Sequence, residues 1–171
     1  MSATYNRSMQ ARERLAAMGL EAFVPLRTAI TLAGGRKRRR LVPAVSNLIF
    51  VRCTEDSIQQ AKDALDYLQF LCNREQGRAV RITVPDAQMT HFMSLAGGAD
   101  EQARFLSPDL PELRRGDRVR IHGGPFDGVE GTFVKLKGAR RRMVVVTIPT
   151  VISVATLSFA PELLQKIPAE D

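Results

Sequence analysis

Apolar residues in the first part of the chain recur at both helical and strand spacing. Residues 8–18 place apolar side chains on one face of a predicted helix, and Gly19 is positioned to end it. Either Asn6 or Ser8 could cap the N-terminus of this helix. Four short segments rich in β-branched or aromatic residues are predicted to be strands. These strands are residues 21–26, 47–53, 69–72 and 79–84.

Two further helices are predicted among and after these strands. Thr54 is a good N-cap for a helix whose apolar positions recur through residues 58–68. Pro85 is placed to start a third helix. The alternation over residues 1–94 predicts an α+β domain, an N-terminal antiparallel sheet flanked by helices. The apolar face of the third helix is predicted to contain Met89, Phe92 and Met93.

The pattern changes after residue 94. Residues 95–111 are small, polar and proline-containing, and are predicted to be a partly extended interdomain linker. Residues 112–168 alternate short apolar segments with glycine-rich turns. So many short strands in a segment of this size favour a small SH3-like β-barrel, because closure of the sheet removes its edges. The predicted strands are residues 118–121, 129–136, 143–148 and 150–157.

Composition is ordinary for a soluble globular protein. Of the 171 residues, 44% are apolar and 25% are charged. No apolar run reaches the ~18 residues that would cross a bilayer, and no leader pattern is visible at the N-terminus. The two cysteines, Cys53 and Cys72, form neither a disulfide framework nor a zinc-site spacing, and we expect both to be buried. These features predict a cytoplasmic protein without metal or other cofactor.

Positive charge is concentrated in the first part of the chain. Residues 1–94 carry 14 basic and 8 acidic side chains, a net charge of +6. Residues 95–171 carry 11 and 10, a net charge of +1. The excess favours a polyanionic partner such as nucleic acid, but a soluble protein of high pI without such a partner would have the same composition.

Five successive cations follow Gly34 and Gly35. A run of like charges repels itself, and we expect it to form the solvated tip of a hairpin. It could contact nucleic-acid phosphates, which would position the protein without reading sequence, or it could serve only as a solubilising loop. The five residues are Arg36, Lys37, Arg38, Arg39 and Arg40.

Glycines and apolar residues after residue 115 form a further pattern. Val119 and Ile121 would face one side of a first strand, and Gly124 and Gly128 would allow positive φ in the next turn. Gly131 would let a second strand bend sharply across the first. The pattern resembles the KOW motif, with any SH3-like barrel containing glycine-rich hairpins as the alternative. Its residues are Gly116, Asp117, Val119, Ile121, Gly124, Pro125, Phe126, Gly128 and Gly131.

The residues before this motif are similar to the N-terminal (NGN) domain of NusG-type transcription elongation factors, in which a KOW domain follows. Segments 19–26 and 42–51 resemble the family's approaches to its sheet. Residues 84–93 are most similar to the UpxY-type paralogues, which act on surface-polysaccharide operons. The family's first strand, with its Trp-Tyr pair, is shortened or lost here. The resemblance implies an NGN-like domain over residues 1–94 and a KOW domain over residues 112–168.

The resemblance implies a function performed by binding, not by catalysis. In this family the N-terminal domain binds the clamp helices of RNA polymerase through an apolar patch and suppresses pausing or termination. The matching positions in this chain could instead be core. Because Leu48 and Phe50 share one face at period two, we expect both to be exposed or both to be buried. The positions that match the patch are Val45, Leu48 and Phe50.

The resemblance also implies a monomer with nucleic acid, but no membrane, among its partners. KOW domains of the family contact the termination factor Rho or a ribosomal protein, and Arg140, Arg141 and Arg142 either contribute to such a contact or form a plain charged hairpin. The main alternative is a ribosome-associated or general RNA-binding KOW protein, which the nearly neutral second half disfavours. An enzyme is a third class, but His91 and His122 lack a partner acid or nucleophile at useful spacing.

Overall fold

The computed structural model describes residues 1–97, 103–108, 111–138, 140–156 and 161–168. Two compact units divide the chain, unit 1 at Met1–Thr83 and unit 2 at Val84–Asp171. Within the described ranges, no helix is both long and apolar enough to cross a membrane. Parts of the predicted linker, at residues 98–102 and 109–110, and the predicted last-strand residue 157 lie outside the described residues.

Unit 1 combines two helices with short strands. Its elements are β1 (Ser2–Ala3), α1 (Ser8–Ala17), β2 (Glu21–Phe23), β3 (Leu26–Ala33), β4 (Arg36–Pro43), β5 (Phe50–Arg52), α2 (Glu55–Ala64), β6 (Leu68–Gln69), β7 (Cys72–Glu75) and β8 (Arg78–Arg81). The strands pair in antiparallel twos: β1 with β6, β2 with β5, β3 with β4, and β7 with β8. The predicted antiparallel direction is correct. An isolated antiparallel bridge between Ser2 and Leu48 links β1 to the segment that leads into β5, while β3–β4 and β7–β8 are two-stranded ladders.

The core of unit 1 lies between α1 and the short strands. Ala11 and Leu15 are buried on one face of α1, as the helical spacing predicts. Ile49 precedes β5, and Leu68 begins β6; both are fully buried. Together they join one cluster that also contains Ala3, Val24, Ala61 and Tyr67.

The sequence predicted some helix ends correctly and one incorrectly. Thr54 caps α2 by accepting a hydrogen bond from the Ser57 backbone N–H at 3.3 Å, and this prediction is confirmed. Gly19 follows α1 with a φ of +77°, which suits a helix end. The predicted cap of α1 is wrong, because Arg7 occupies the N-cap position. The buried Ser8 hydroxyl instead donates to the Ser46 carbonyl at 2.9 Å.

Both cysteines are exposed, contrary to the expectation that they would be buried. Cys53 follows the last residue of β5. Cys72 begins β7, whose ladder with β8 contains no third strand among the described residues. A strand without a covering layer buries little on either face, so an apolar residue type does not guarantee burial there.

The described residues of unit 2 form one antiparallel sheet accompanied by one α-helix. Its elements are α3 (Asp86–Ala96), β9 (Arg104–Leu106), β10 (Asp117–Ile121), β11 (Glu130–Val134), β12 (Met143–Ile148), β13 (Ile152–Thr156) and β14 (Leu164–Lys166), with 3₁₀ turns at Pro111–Arg115, Gly124–Phe126 and Pro161–Leu163. The strand order is β14-β10-β11-β12-β13-β9, and every neighbouring pair is antiparallel.

Helix α3 packs on this sheet, in contact with β12 and β13. Its Phe92 and Leu95 side chains are fully buried, and the Gln88 side chain donates to the Thr147 carbonyl at 2.9 Å. The structure therefore groups α3 with unit 2, although the sequence pattern grouped it with the first 94 residues. Nearly every residue of β12 and β13 is buried, and Met143, Val145 and Ala155 of these strands pack in a separate apolar cluster with Val134.

Candidate nucleic-acid interface

Strands β3 and β4 form a long two-stranded hairpin, which we call the ribbon. Eight residue pairs run from Leu26 opposite Pro43 to Ala33 opposite Arg36, a length of roughly 25 Å. Within the described chain, the two strands pair with each other and with no third strand. Gly34 and Gly35 close the turn with φ values of +59° and +73°.

The five successive cations form most of strand β4 and not the predicted hairpin tip. Only the two glycines lie at the turn, and Arg36 already pairs with Ala33. Residues 28–32 of the opposite strand include β-branched side chains, which favour pairing. All five cations are exposed, so water screens their mutual repulsion and the strand tolerates them.

The register gives the ribbon two chemically different faces. Because side chains alternate along a strand, residues directly opposite each other share a face. We call the face on which Arg27 joins three cations of β4 the arginine face. The mixed face carries the remaining two cations beside apolar side chains that are 64–75% exposed. The arginine face contains Arg27, Arg36, Arg38 and Arg40, and the mixed face contains Ile30, Leu32, Lys37, Arg39 and Leu41.

The arginine face is suited to a row of phosphates. Successive arginines along β4 are about 7 Å apart, twice the rise of one strand residue. Guanidinium groups pair well with phosphate oxygens, and a two-stranded ribbon is narrow enough to enter a DNA major groove. Arg27 was missed in the sequence, because only the strand register places it on the same face as Arg40, diagonally across from it.

The three positions predicted to form an apolar patch have different environments. Leu48 is 4% exposed, so it cannot serve as an exposed contact, whereas Val45 is 42% exposed. Phe50 is half-buried, with its ring centroid 6.4 Å from that of Phe23. The Leu48 backbone N–H donates to the Val45 carbonyl, so residues 45–48 turn before β5 begins. Leu48 is buried whereas Phe50 is half-buried, so the expectation that both residues have the same exposure is wrong.

The KOW-like residues occupy β10, β11 and the turn between them. Val119 and Ile121 are buried, and so is Phe126 in the turn. Gly124 and Gly128 have φ values of +71° and +78°, as the pattern predicts. Main chains of residues with side chains are strained in this region, so glycine is the residue that fits.

Gly131 is required by close packing and not by the predicted sharp bend. It pairs with Val119 within the regular β10–β11 ladder. A Cβ atom at Gly131 would lie 2.7 Å from the Val145 carbonyl oxygen of β12. At Gly116, a Cβ atom would lie 2.3 Å from Thr132 Cγ2. These two glycines let neighbouring chain segments approach more closely than any other residue would.

Ion pairs join β10 to the strands on both sides of it, β11 and β14. Glu130 accepts hydrogen bonds from Arg120 and, at 3.1 Å, from Arg118. The hydrogen bond from Arg120 is the main reason that the pKa of Glu130 lies below its usual value. The Lys166 ammonium lies 2.7 Å from an Asp117 carboxylate oxygen, and this contact lowers the pKa of Asp117.

The other sequence candidates in unit 2 are dispersed. Arg140, Arg141 and Arg142 are exposed, and the Arg142 guanidinium lies 5.4 Å from the Phe133 ring centroid. The loop residue 139 lies outside the described residues. The His122 ring is 2.6 Å from the Gln165 side-chain oxygen. Among the residues described, no group of three or more His, Cys, Asp or Glu side chains could hold a metal ion.

The difference in net charge between the two units is larger than that between residues 1–94 and 95–171. Unit 1 carries 14 basic and 7 acidic side chains, a net charge of +7, which is the net charge of the whole chain. Unit 2 carries 11 of each sign and is neutral. The positive charge excess therefore belongs to unit 1, which contains the ribbon.

No protein-family model matches this chain, and no curated protein sequence is similar to it. Among solved structures, it is similar to NusG of Thermotoga maritima, from a structure described as "Domain interaction in Thermotoga maritima NusG". The two chains are 21% identical, and the similarity covers 98% of this chain and 93% of that chain with a TM-score of 0.42. Because the identity and the TM-score are both low, we infer function from the residues of this chain alone.

Proposed function

We propose that this protein is a transcription elongation or antitermination factor of the NusG type, which binds RNA polymerase through unit 1 and suppresses pausing or termination. The observation that carries the proposal is the KOW-like hairpin of β10 and β11. Its glycines occupy positions where the backbone needs positive φ or where a neighbouring strand approaches closely. Gly124 and Gly128 have the positive φ that the pattern predicts, and Gly116 and Gly131 leave no room for a side chain.

Each unit has a separate part in this proposal. Unit 1, as the NGN-like domain, supplies the polymerase contact through Val45 and the exposed part of Phe50. The arginine face contacts phosphates of the nucleic acid in the elongation complex, which positions the protein without reading sequence. Unit 2 contains the KOW domain over residues 112–168, a candidate site for Rho or a ribosomal protein. In its more specific form, the proposal is that the protein acts as a cytoplasmic monomer at surface-polysaccharide operons.

Binding to core RNA polymerase tests the proposal, and Val45 offers a clean substitution. Its side chain is 42% exposed, so Val45→Asp removes apolar contact surface without placing a charge in the core. Val80, also in unit 1 and 40% exposed, provides a matched control. We expect Val45→Asp to weaken binding at least tenfold, since a central contact residue commonly contributes more than about 1.4 kcal/mol. Val80→Asp should bind as wild type does.

The outcomes separate the candidate functions. Absence of polymerase binding by the wild-type protein would refute the elongation-factor proposal. Equal weakening by both aspartate variants would reject Val45 as part of a specific contact. If the protein instead bound ribosomal RNA through unit 2, the general RNA-binding alternative would take its place.

A further inference from the structure

A tyrosine outside all of the sites above is displayed on the surface of unit 1 by a strained turn. The Tyr5 side chain is 82% exposed, the highest value among the large apolar side chains described. Tyr5 and the next residue, Asn6, both have positive φ, at +59° and +58°. Two successive non-glycine residues in this region are rare, and such strain persists where the surroundings hold it in place.

Hydrogen bonds on both sides hold this turn. On one side, the backbone N–H of Thr4 donates to the Tyr67 carbonyl at 2.9 Å. On the other, the Asn6 backbone N–H donates to the Asn47 side-chain oxygen at 3.0 Å. The backbone of the turn is therefore preorganised, and it loses little further freedom when a partner binds.

An arginine adjoins the exposed ring. The Arg7 guanidinium carbon lies 5.5 Å from the Tyr5 ring centroid and 5.0 Å from the Tyr67 ring centroid. Both distances are within the range of cation–π contacts. Arg7 thus places a positive charge over the largely exposed Tyr5 ring, and we call Tyr5 and Arg7 the platform.

The platform is connected to the base of the ribbon. Asn47, which holds the turn, is four residues beyond Pro43, the last residue of β4. Four residues of chain span at most about 14 Å, so the Cα atom of Asn47 lies within that distance of the ribbon. Unit 1 also carries the whole net charge of +7, which attracts polyanions.

We propose that the platform binds an unpaired nucleobase of single-stranded nucleic acid, stacked on the Tyr5 ring while Arg7 faces the adjoining phosphate. Base stacking on an aromatic side chain tolerates any sequence, because every base has a π face. A duplex does not offer such a face, since its bases are already stacked. This proposal rests on one part of the proposed function, the binding of nucleic acid by unit 1. It does not depend on polymerase binding.

The tyrosine content of the chain supplies the reporter. The sequence has two tyrosines and no tryptophan, so Tyr67→Phe leaves Tyr5 as the sole tyrosine emitter. The ligand is a twelve-residue oligothymidylate, and inorganic polyphosphate of similar charge is the control without bases. We expect oligothymidylate to quench Tyr5 emission on saturation, and polyphosphate to leave the emission unchanged.

Affinity for the same oligothymidylate tests the ring itself. Tyr5→Phe retains a π face and should bind as wild type does. Tyr5→Ala and Tyr5→Leu should each bind about 5- to 150-fold more weakly, the range measured for one stacked base. Val80→Ala trims another exposed apolar side chain and should change nothing. Circular dichroism checks the fold of each variant.

Three results would overturn the proposal that the platform binds a nucleobase. The first is equal binding by Tyr5→Leu and Tyr5→Phe, because then only apolar area matters. The second is unchanged Tyr5 emission when the oligonucleotide saturates the protein. The third is a loss of polymerase binding in Tyr5→Ala with normal oligonucleotide binding, which would assign Tyr5 to a protein contact. Since polymerase binding is measured separately, the platform and the elongation-factor proposal can fail independently.

Discussion

Single residues set the geometry of the β10–β11 hairpin through two different demands on glycine. Gly124 and Gly128 lie in open space, and the need there is for positive φ. Gly116 and Gly131 have ordinary φ values but no room for a side chain. The first demand is local and can be predicted from turn patterns, whereas the second depends on a strand that is distant in sequence.

Gly131→Ala should therefore destabilise unit 2. The added Cβ atom would meet a backbone carbonyl, which cannot move aside as the end of a flexible side chain would. We expect a loss of about 1–3 kcal/mol in the free energy of unfolding, the usual cost of overpacking. Chemical denaturation followed by circular dichroism measures it. An unchanged midpoint would mean that β12 is not held as close to β11 as described.

Residue-scale predictions succeeded where the cause was local. Thr54 caps α2 because its hydroxyl and the Ser57 N–H are neighbours in sequence. Ser8 failed as a cap because its hydroxyl binds the Ser46 carbonyl, 38 residues away, a partner that no local pattern includes. Leu48 was placed in a patch because its position matches the family's apolar patch, but it is buried and bridges to Ser2, 46 residues away.

At the scale of elements, the ribbon differs most from its prediction. A run of five cations is typical of a loop, so the segment was not expected to be a strand. The pairing of β3 with β4 leaves both faces in water, and the usual alternation of apolar and polar residues is therefore weak. Which cations share a face depends on the register, and the register places Arg27 among them.

The two faces of the ribbon can be separated by salt-dependent DNA binding. We expect Arg38→Gln with Arg40→Gln, both on the arginine face, to reduce the slope of log affinity against log salt by about 2, since each lost phosphate contact contributes about 0.9. Lys37→Gln with Arg39→Gln removes the same charge from the mixed face and should reduce it much less. Fluorescence anisotropy with a 20-base-pair duplex measures both. Equal changes would show that both faces contact phosphates.

The ion pairs across β10 and β11 predict an acid dependence. Because the pKa of Glu130 is lowered in the folded protein, its contribution to stability is present above the unfolded value of about 4.3. It is lost as the pH falls through the lower folded value. The stability difference between wild type and Glu130→Gln should therefore be largest near neutral pH and shrink below pH ~4. Urea unfolding at several pH values measures it, with exposed Glu162→Gln as the control. A difference independent of pH would contradict the assignment.

At the scale of the whole molecule, the division into units separates charge from β-sheet packing. Unit 1 carries the net charge and the ribbon, while unit 2 is neutral and contains the larger sheet. The sequence indicated the α+β character, but the structure divides the chain after Thr83 and not near residue 95. The sequence did not indicate the packing of α3, because an apolar helix face fits either unit and the choice depends on β12 and β13.

Truncation tests where α3 belongs. A fragment of residues 84–171 retains Phe92 and Leu95 over the sheet, and we expect it to unfold cooperatively. A fragment of residues 97–171 loses both side chains and exposes the strands that α3 contacts. It should melt at lower temperature or aggregate, because burying one such side chain contributes about 1.5–3 kcal/mol. Equal thermal stability of the two fragments would argue that α3 is dispensable for unit 2.

We also expect the ribbon to influence association between copies of this protein. Each of its strands has an outer edge whose backbone groups pair with no other strand in the described part of the chain. Such edges favour pairing with a second copy, and the exposed Ile30 and Leu32 add apolar surface to that attraction. The arginine face opposes it by repulsion that reaches about 8 Å at physiological salt but only about 3 Å at 1 M. The same arginines are proposed to contact phosphates, so we expect concentrated salt to weaken nucleic-acid binding and to promote self-association together.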